Sequence, residues 1–155
     1  MTIPNSTAPA ARRYLVEQCT AQLTLDPLNT RASLLVCYDD PGTNEPGDIV
    51  SIGRIARTIN PNSMVGSGGA GWLEEQYTVT VTIDLFRGGD DAQAIFERGA
   101  LLVDQVCAIV RADPSLGGLV LVARPISSEI EGEWDEKHMG RHVLATLEIH
   151  CYQRI

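Results

Sequence analysis

The sequence lacks the features that identify several classes of protein. Its four cysteines, Cys19, Cys37, Cys107 and Cys151, are far apart and form no CxxC pair. This spacing matches no zinc pattern and predicts reduced, buried thiols rather than a disulfide framework. No apolar run is long enough to span a bilayer, and residues 1–10 lack the apolar core of a signal peptide. We therefore expect a cytosolic protein, or part of a particle assembled in a cytosol.

Basic residues are also scarce. The chain has 12 Lys and Arg against 20 Asp and Glu, a net charge of −8. Most of this excess lies in residues 74–155, which hold fourteen acidic and seven basic side chains. Because nucleic-acid binding depends on Lys and Arg neutralising phosphates, a tight nucleic-acid contact is not expected. An acidic surface suits solubility, or a wall past which DNA slides without adhering.

The sequence contains no catalytic or cofactor-binding motif. It has no GxSxG and no dinucleotide fingerprint, and its Gly-rich stretch at 61–71 lacks the Lys of a phosphate-binding loop. His138 and His142 have the spacing of helical zinc ligands, but Gly140 predicts a turn into a strand, where such residues lie apart. We predict no enzyme activity, catalytic residue, cofactor or metal site.

What the sequence does contain is a strand–turn–helix unit from Glu74 to Gly118. Apolar odd positions alternate with polar even positions from Gln76 to Leu85, which predicts a strand with one buried face and one Thr-rich face. Asp90 or Asp91 is placed to cap the following helix. The apolar residues of that helix recur at helical spacing until Pro114.

Shorter patterns predict the other elements: a helix over 10–25, and strands over 34–38, 49–59, 119–134 and from 143 to the C-terminus. Together they indicate a single α+β domain at 10–155, with a mostly antiparallel sheet and one long and one shorter amphipathic helix packed on one face. Residues 1–9 are predicted to form a flexible arm, and residues 61–73 a mobile loop.

Several stretches resemble the tail terminator proteins of long-tailed (siphovirus) bacteriophages. The strand opening Glu74-Glu75-Gln76-Tyr77-Thr78-Val79-Thr80-Val81 is similar to the EE-x-Y-x-V-x-V stretch of that family. So are Gly88-Gly89-Asp90-Asp91-Ala92-Gln93, the helix ending near Val110, Asp113-Pro114-Ser115-Leu116-Gly117-Gly118 and the alternating final strand. The segments 32–38 and 48–57 resemble the first hairpin of the family. The likeness covers roughly residues 10–155 and concerns the fold rather than a catalytic motif.

What the resemblance implies is structural. Tail terminators form a hexameric ring on the head-proximal end of the tail tube, stop its polymerisation and dock the head-closure proteins of the neck. We therefore expect a virion protein of the tail–neck junction, present in the host cytoplasm during assembly. Its expected partners are further copies of itself, the major tail tube protein and a head-closure protein, with DNA passing through without specific binding and with no membrane contact. Such a ring forms when a heterologous contact closes after a fixed rotation.

Two sets of residues are candidates for these roles. We expect the outer edge of the sheet or the Gly-rich loop to contact the next subunit, since aromatic residues are favoured at interface centres. The candidate interface residues are Gly66, Ser67, Gly68, Gly69, Trp72 and Trp134. The candidate acidic channel surface, past which DNA would move without adhering, consists of Asp90, Asp91, Glu129, Glu131 and Glu133. Either tryptophan could equally be an ordinary core residue, and the acidic run a solvated strand end.

Two other readings stay open. The chain could be another neck component, a head-closure or head–tail joining protein that binds the portal side. It could also be a small-molecule-binding or hydrolytic domain that uses the carboxylates between Glu129 and Glu136, or His138 and His142. The second reading requires convergent geometry, which a run along an extended strand does not predict.

Overall fold

A five-stranded sheet with two helices on one face makes up the fold. The computed structural model describes residues 5–27, 33–42, 47–61, 73–137 and 139–154. The elements are α1 (Ala8–Gln22), β1 (Leu34–Tyr38), β2 (Asp48–Pro61), β3 (Leu73–Gly88), α2 (Ala92–Ala112), β4 (Val122–Asp135) and β5 (Gly140–Arg154). The strand order is β1-β2-β3-β5-β4, and only the β1–β2 pair is parallel. The predicted α+β fold with a mostly antiparallel sheet is confirmed.

The two strands with the clearest sequence alternation lie side by side in the sheet. β3 pairs with β5 along its whole length, and their odd-numbered apolar residues are almost completely buried. α2 packs on β3, β5 and β4, and α1 packs on β1 and β2. The buried residues of both helices belong to one core, so α1 and α2 cover the same face of the sheet, as predicted. Gly99 lets α2 approach closely, because a Cβ at that position would lie 3.1 Å from Cγ1 of Val143.

The start of α2 follows the sequence prediction. Asp91 is the N-cap, and its Oδ1 accepts a hydrogen bond of 3.0 Å from the backbone N–H of Ala94. A carboxylate at this position satisfies a free N–H group and interacts favourably with the positive end of the helix dipole. The helix then continues for 21 residues and ends at Ala112, before Pro114.

The connection between β1 and β2 differs from the hairpin suggested by the family resemblance. Leu34 aligns with Asp48 and Tyr38 with Ile52, so the two strands run parallel. A tight hairpin joins antiparallel strands through a loop of two to five residues. Here nine residues, 39–47, separate the two strands, which is long enough to carry the chain back to the level where β1 began.

The first helix begins earlier than predicted, within the expected flexible arm. α1 spans Ala8–Gln22, and the two residues before it contact β3. Ser6 Oγ donates a hydrogen bond of 2.5 Å to Glu75 Oε1, and the hydroxyls of Thr7 and Tyr77 lie 2.9 Å apart. Of the predicted loop 61–73, residues 61 and 73 belong to strands, and residues 62–72 lie outside the described residues.

A buried network of charged residues joins the elements of the covered face. Asp48, the first residue of β2, is fully buried. Its Oδ2 lies 3.2 Å from Nε of Arg98 on α2, and its Oδ1 lies 2.5 Å from Nη1 of Arg87 on β3. Beyond α1, Arg98 Nη2 donates to the carbonyl of Thr24 at 2.6 Å, and Arg87 Nη2 lies 2.9 Å from Asp26 Oδ2. Through Arg87 and Arg98, the Asp48 carboxylate therefore links β2, β3, α2 and the segment that follows α1.

The guanidinium group of Arg87 stays charged in this network. Partial burial alone would lower the pKa of Arg87, but hydrogen bonds and charge interactions with Asp48 and Asp26 outweigh it and raise the pKa. Loss of one partner from such a site leaves an uncompensated charge in a poorly solvated environment.

We predict that Asp48→Ala lowers the free energy of unfolding by about 3–5 kcal/mol, because it leaves Arg87 and Arg98 without their shared buried carboxylate. Urea denaturation of the variant and the unmodified chain measures this difference. Asp104→Ala is the control: it removes an exposed carboxylate from α2 and should change stability by less than about 0.5 kcal/mol. A loss below about 1 kcal/mol in Asp48→Ala would contradict the role given to the network.

Candidate assembly surfaces

The face of the sheet opposite the helices is not covered by any described element. We call it the uncovered face; it carries the even-numbered side chains of β3 and β5. In the middle of β3 these are Thr78, Thr80 and Thr82, which are partly exposed beside His150 and Thr146 of β5. The polar half of the predicted alternation therefore faces outward. A sheet face of this kind is either solvated or available to a partner.

Most charged residues of the uncovered face are acidic. Glu129 lies opposite Thr146, and Glu131 opposite Leu144, on the outermost strand β4. Both carboxylates are exposed, and neither has an ion-pair or hydrogen-bond partner among the described residues. Glu133 points the same way but lies 3.2 Å from Nδ1 of His142. The structure thus brings three of the five predicted channel residues onto one surface.

The other two predicted channel residues have structural partners. Asp90 follows β3, and its Oδ1 accepts from Nε of Arg141 at 2.6 Å. Asp91 is the helix cap described above. Both residues are exposed, but their carboxylates are held at the turn before α2 rather than aligned with the acidic residues of β4.

Trp134 lies near the end of the edge strand, where 42% of its surface is exposed. The guanidinium carbon of Arg141 lies over its ring, 5.4 Å from the centroid, and the pairing of Arg141 with Asp90 fixes that guanidinium. Phe96 on α2 is 45% exposed and borders a groove with Gly132 and Val143. Trp134 near a strand edge that is unpaired within the described residues, and Phe96 at a groove bordered by the same strand, are exposed aromatic residues suited to contact another protein.

The remaining interface candidates cannot be assigned to this surface. Gly66, Ser67, Gly68, Gly69 and Trp72 lie outside the described residues, as does His138. Of the two tryptophans, Trp134 is therefore the one that can be placed, and it is partly exposed rather than a core residue.

His142 connects three strands at one end of the uncovered face. Its Nε2 contacts Asp84 Oδ1 on β3, and its Nδ1 lies 3.2 Å from Glu133 Oε1 on β4. A neutral imidazole has one N–H, whereas an imidazolium can donate to both carboxylates. Partial burial lowers the pKa of His142, but the interactions with Asp84 and then Glu133 outweigh it and raise the pKa above 6.5.

The hollow next to His142 has little of the geometry of a catalytic site. It has a volume of about 700 Å³, is open to solvent and is bordered mainly by polar residues, among them Asp39, Asp84, Asp135 and Arg54. The two ring nitrogens of His142 are both directed at carboxylates, so neither is free to activate a nucleophile there. Among the described residues, no three His, Cys, Asp or Glu side chains are grouped so as to hold a metal ion.

The cysteines are separate free thiols. Burial raises the pKa of Cys19 and of Cys151 to about 12, so both remain protonated near neutral pH. Cys37 and Cys107 are only partly buried. The expectation of free thiols is confirmed, and that of burial holds fully for two of the four.

Sequence reasoning missed the buried charges and the histidine cluster. Arg98 occupies a position of the apolar stripe of α2, between Ile95 and Leu102, and a charge inside such a stripe signals a buried partner. Glu75 likewise falls on the buried parity of β3. The partner of His142 on β3, Asp84, could be identified only once the register of β3 and β5 was known.

Two comparisons with known proteins were negative. No protein-family model matches it, and no curated protein is significantly similar to it. Among the described residues, no helix is both long enough and apolar enough to cross a membrane.

We predict that His142 stabilises the protein at acidic to neutral pH and that this contribution declines as the pH rises. Its pKa in the folded state is raised above the value of 6.5 in the unfolded state. The stabilisation is therefore fully present below pH 6.5 and is lost as the pH rises through the folded-state pKa. Urea denaturation at about pH 6 and pH 9 should show an advantage over His142→Gln of about 1 kcal/mol at the lower pH only.

Asp84→Asn provides the matched control for this prediction, since it keeps the shape of the side chain but removes the main favourable charge. In the Asp84→Asn background, His142→Gln should change the free energy of unfolding by amounts that differ less between the two pH values than in the unmodified chain. An advantage of His142 over Gln that is equal at both pH values would contradict the assignment of an imidazolium between Asp84 and Glu133.

Proposed function

We propose that this chain is a structural subunit of a phage tail, and that its copies form a ring, most simply a hexamer, at the head-proximal end of the tail tube. In this role the ring ends tube polymerisation and presents a surface to the head-closure proteins of the neck. The proposal rests first on the resemblance of the strand, turn and helix motifs between Glu74 and Gly118 to tail terminators. It rests second on surfaces suited to assembly.

The observation that carries the proposal is the half-exposed Trp134 on a strand whose outer edge is unpaired within the described residues. An unpaired edge offers backbone N–H and C=O groups to another chain, and proteins usually protect such edges. Trp134 and Phe96 add apolar area beside this edge, and Arg141 holds the indole in place from one side. Aromatic residues with restricted mobility make effective interface anchors.

The uncovered face suits the inner wall of such a ring. Its central residues are threonines, and its charged residues are mainly carboxylates, so a DNA backbone meets hydroxyl groups and like charges. DNA would then pass without adhering, which is the role that the sequence predicts for Glu129, Glu131 and Glu133; the first two have this role only where they do not contact a neighbouring copy. Glu129 and Glu131 also lie beside the free edge of β4, where a neighbouring copy would reach them.

We propose no reaction for the protein and no cofactor. At the hollow of about 700 Å³ beside His142, both ring nitrogens of that histidine already contact carboxylates, those of Asp84 and Glu133. The exposed strand edge and the acidic face therefore fit a protein that acts by assembly better than one that acts by catalysis.

We predict that the purified chain, alone or on assembled tails, is found as a particle of about six times its 16.8 kDa mass, and that Trp134→Ala weakens this assembly. Loss of a central aromatic anchor costs about 2 kcal/mol per contact, roughly a thirtyfold change in the association constant. Native mass spectrometry over a dilution series measures both quantities.

Leu101→Ala is the matched control, because Leu101 on α2 is also 42% exposed but is not among the residues that line the Phe96 groove. It should leave the assembly unchanged. A chain that stays monomeric both in solution and on tails would overturn the proposed function. A ring that binds portal protein but not tube protein in a pull-down would assign the chain to another position in the neck.

A further inference from the structure

The two edges of the sheet carry opposite unpaired charges. On one side, β1 pairs with β2 only from Asp48 to Ile52, so residues 53–61 of β2 form a second edge that no described strand covers. This stretch, which we call the basic edge, contains Arg54 and Arg57 and no acidic residue. Both arginines are exposed, and neither has an ion-pair partner among the described residues.

On the other side, the outer half of β4 is acidic. We call residues 127–135 the acidic edge; its unpartnered carboxylates are those of Glu129 and Glu131. Some arginines and carboxylates of the fold form ion pairs, as Arg12 with Asp39 and Arg141 with Asp90, whereas exposed residues such as Arg13 and Arg111 have none among the described residues. What distinguishes the basic edge from the acidic edge is that their unpaired charges have opposite signs.

We propose that the acidic edge of one copy binds the basic edge of the next copy. Glu129 and Glu131 would face Arg54 on the uncovered face of the sheet, and Arg57, which pairs with Tyr77 and so lies on the other face, adds positive charge to the same edge. This inference rests on the proposed ring. A ring needs a heterologous contact, in which two different surfaces of the same chain fit each other. Opposite charges on two separate edges satisfy that need and disfavour the alternatives, since acidic-to-acidic and basic-to-basic contacts repel.

The direction of the strands is compatible with this contact. Three successive antiparallel pairs separate β2 from β4, so the two strands run in opposite directions within one copy. A second copy placed beside the first in the same orientation presents its β2 antiparallel to the β4 edge. The contact would then extend the pairing that already joins β2, β3, β5 and β4.

The contact also requires a stagger between neighbouring copies. Across the sheet, Glu129 is level with Thr146, Thr82 and Ser51, which β1 covers on its outer side. To reach the basic edge, the neighbour must slide along the strands by about six or seven residues, roughly 20 Å. This displacement also moves β4 clear of β1. Strands inclined to the axis of a closed ring produce such a stagger.

The test reverses each edge separately. Glu129→Arg with Glu131→Arg makes both edges basic, and Arg54→Glu with Arg57→Glu makes both edges acidic. Each double variant should lose the ring and migrate at the 16.8 kDa monomer mass in native mass spectrometry or sedimentation. These side chains are exposed, so circular dichroism and thermal melting should show an unchanged fold.

Mixing the two double variants should restore assembly, because each contact then joins a basic edge to an acidic one. The restored ring must alternate the two variants and contain equal numbers of each, which isotopic labelling of one variant detects by mass. A quadruple variant that carries all four reversals should assemble by itself. Glu17→Arg with Asp104→Arg, which makes the same change of charge at exposed positions of α1 and α2, should keep the ring of the unmodified chain.

The outcomes separate this inference from the proposed function. If the unmodified chain forms no ring in solution or on tails, the proposed function fails and the contact fails with it. If the unmodified chain forms a ring and the acidic-edge variant forms the same ring, the contact is wrong while the function stands. Glu129 and Glu131 would then face the channel or solvent. Loss of the ring in both double variants without recovery on mixing would also refute the pairing.

Discussion

The burial of only one face of the sheet is the constraint on which the rest of the structure depends. β3 and β5 alternate apolar and polar residues with a period of two, so a register shift of one residue would move every valine and isoleucine to the opposite side. Two helices are enough to cover one apolar face. The opposite face of threonines and carboxylates then needs no cover, and it is free for solvent or for a partner.

The same constraint explains where the charged residues are found. On the covered face, Asp48 belongs to a charge network in which it contacts Arg87 and Arg98 at once. The network also ties down the chain after α1 through Thr24 and Asp26. On the uncovered face and at the edges, charges are solvated, so selection for folding does not require that they be paired.

The sequence allowed the central elements to be predicted, because their signals are local. The alternation of β3, the cap at Asp91 and the stop before Pro114 each depend on a few neighbouring residues. The parallel pairing of β1 with β2 could not be read in this way, since a short apolar run such as Leu34–Tyr38 carries no information about its direction. The beginning of α1 was misplaced for a similar reason, because the contact of Ser6 with Glu75 spans 69 residues.

The sequence indicated which residues could form the candidate surfaces, but not how those residues lie relative to one another. Trp134 and the glutamates of β4 were recognisable as an aromatic residue and an acidic run, whereas their position on an edge strand follows from the strand order. The contribution of Asp90 was different from the expected one, because Arg141 comes from a strand 51 residues later. Long-range pairing therefore decides which charges are structural and which remain available.

An available charge has different consequences at an edge and in the middle of a face. In the middle of the uncovered face, a carboxylate is surrounded by residues of its own chain. It can interact only with a molecule that approaches this face of the sheet. At the β4 edge, Glu129 and Glu131 stand beside unpaired backbone groups, and a second chain that pairs with this edge must accommodate both carboxylates. Arg54 and Arg57 stand beside the only other long unpaired stretch among the described strands. The two stretches lie on opposite sides of one sheet, so one copy cannot satisfy its own edges, and a closed ring of copies can.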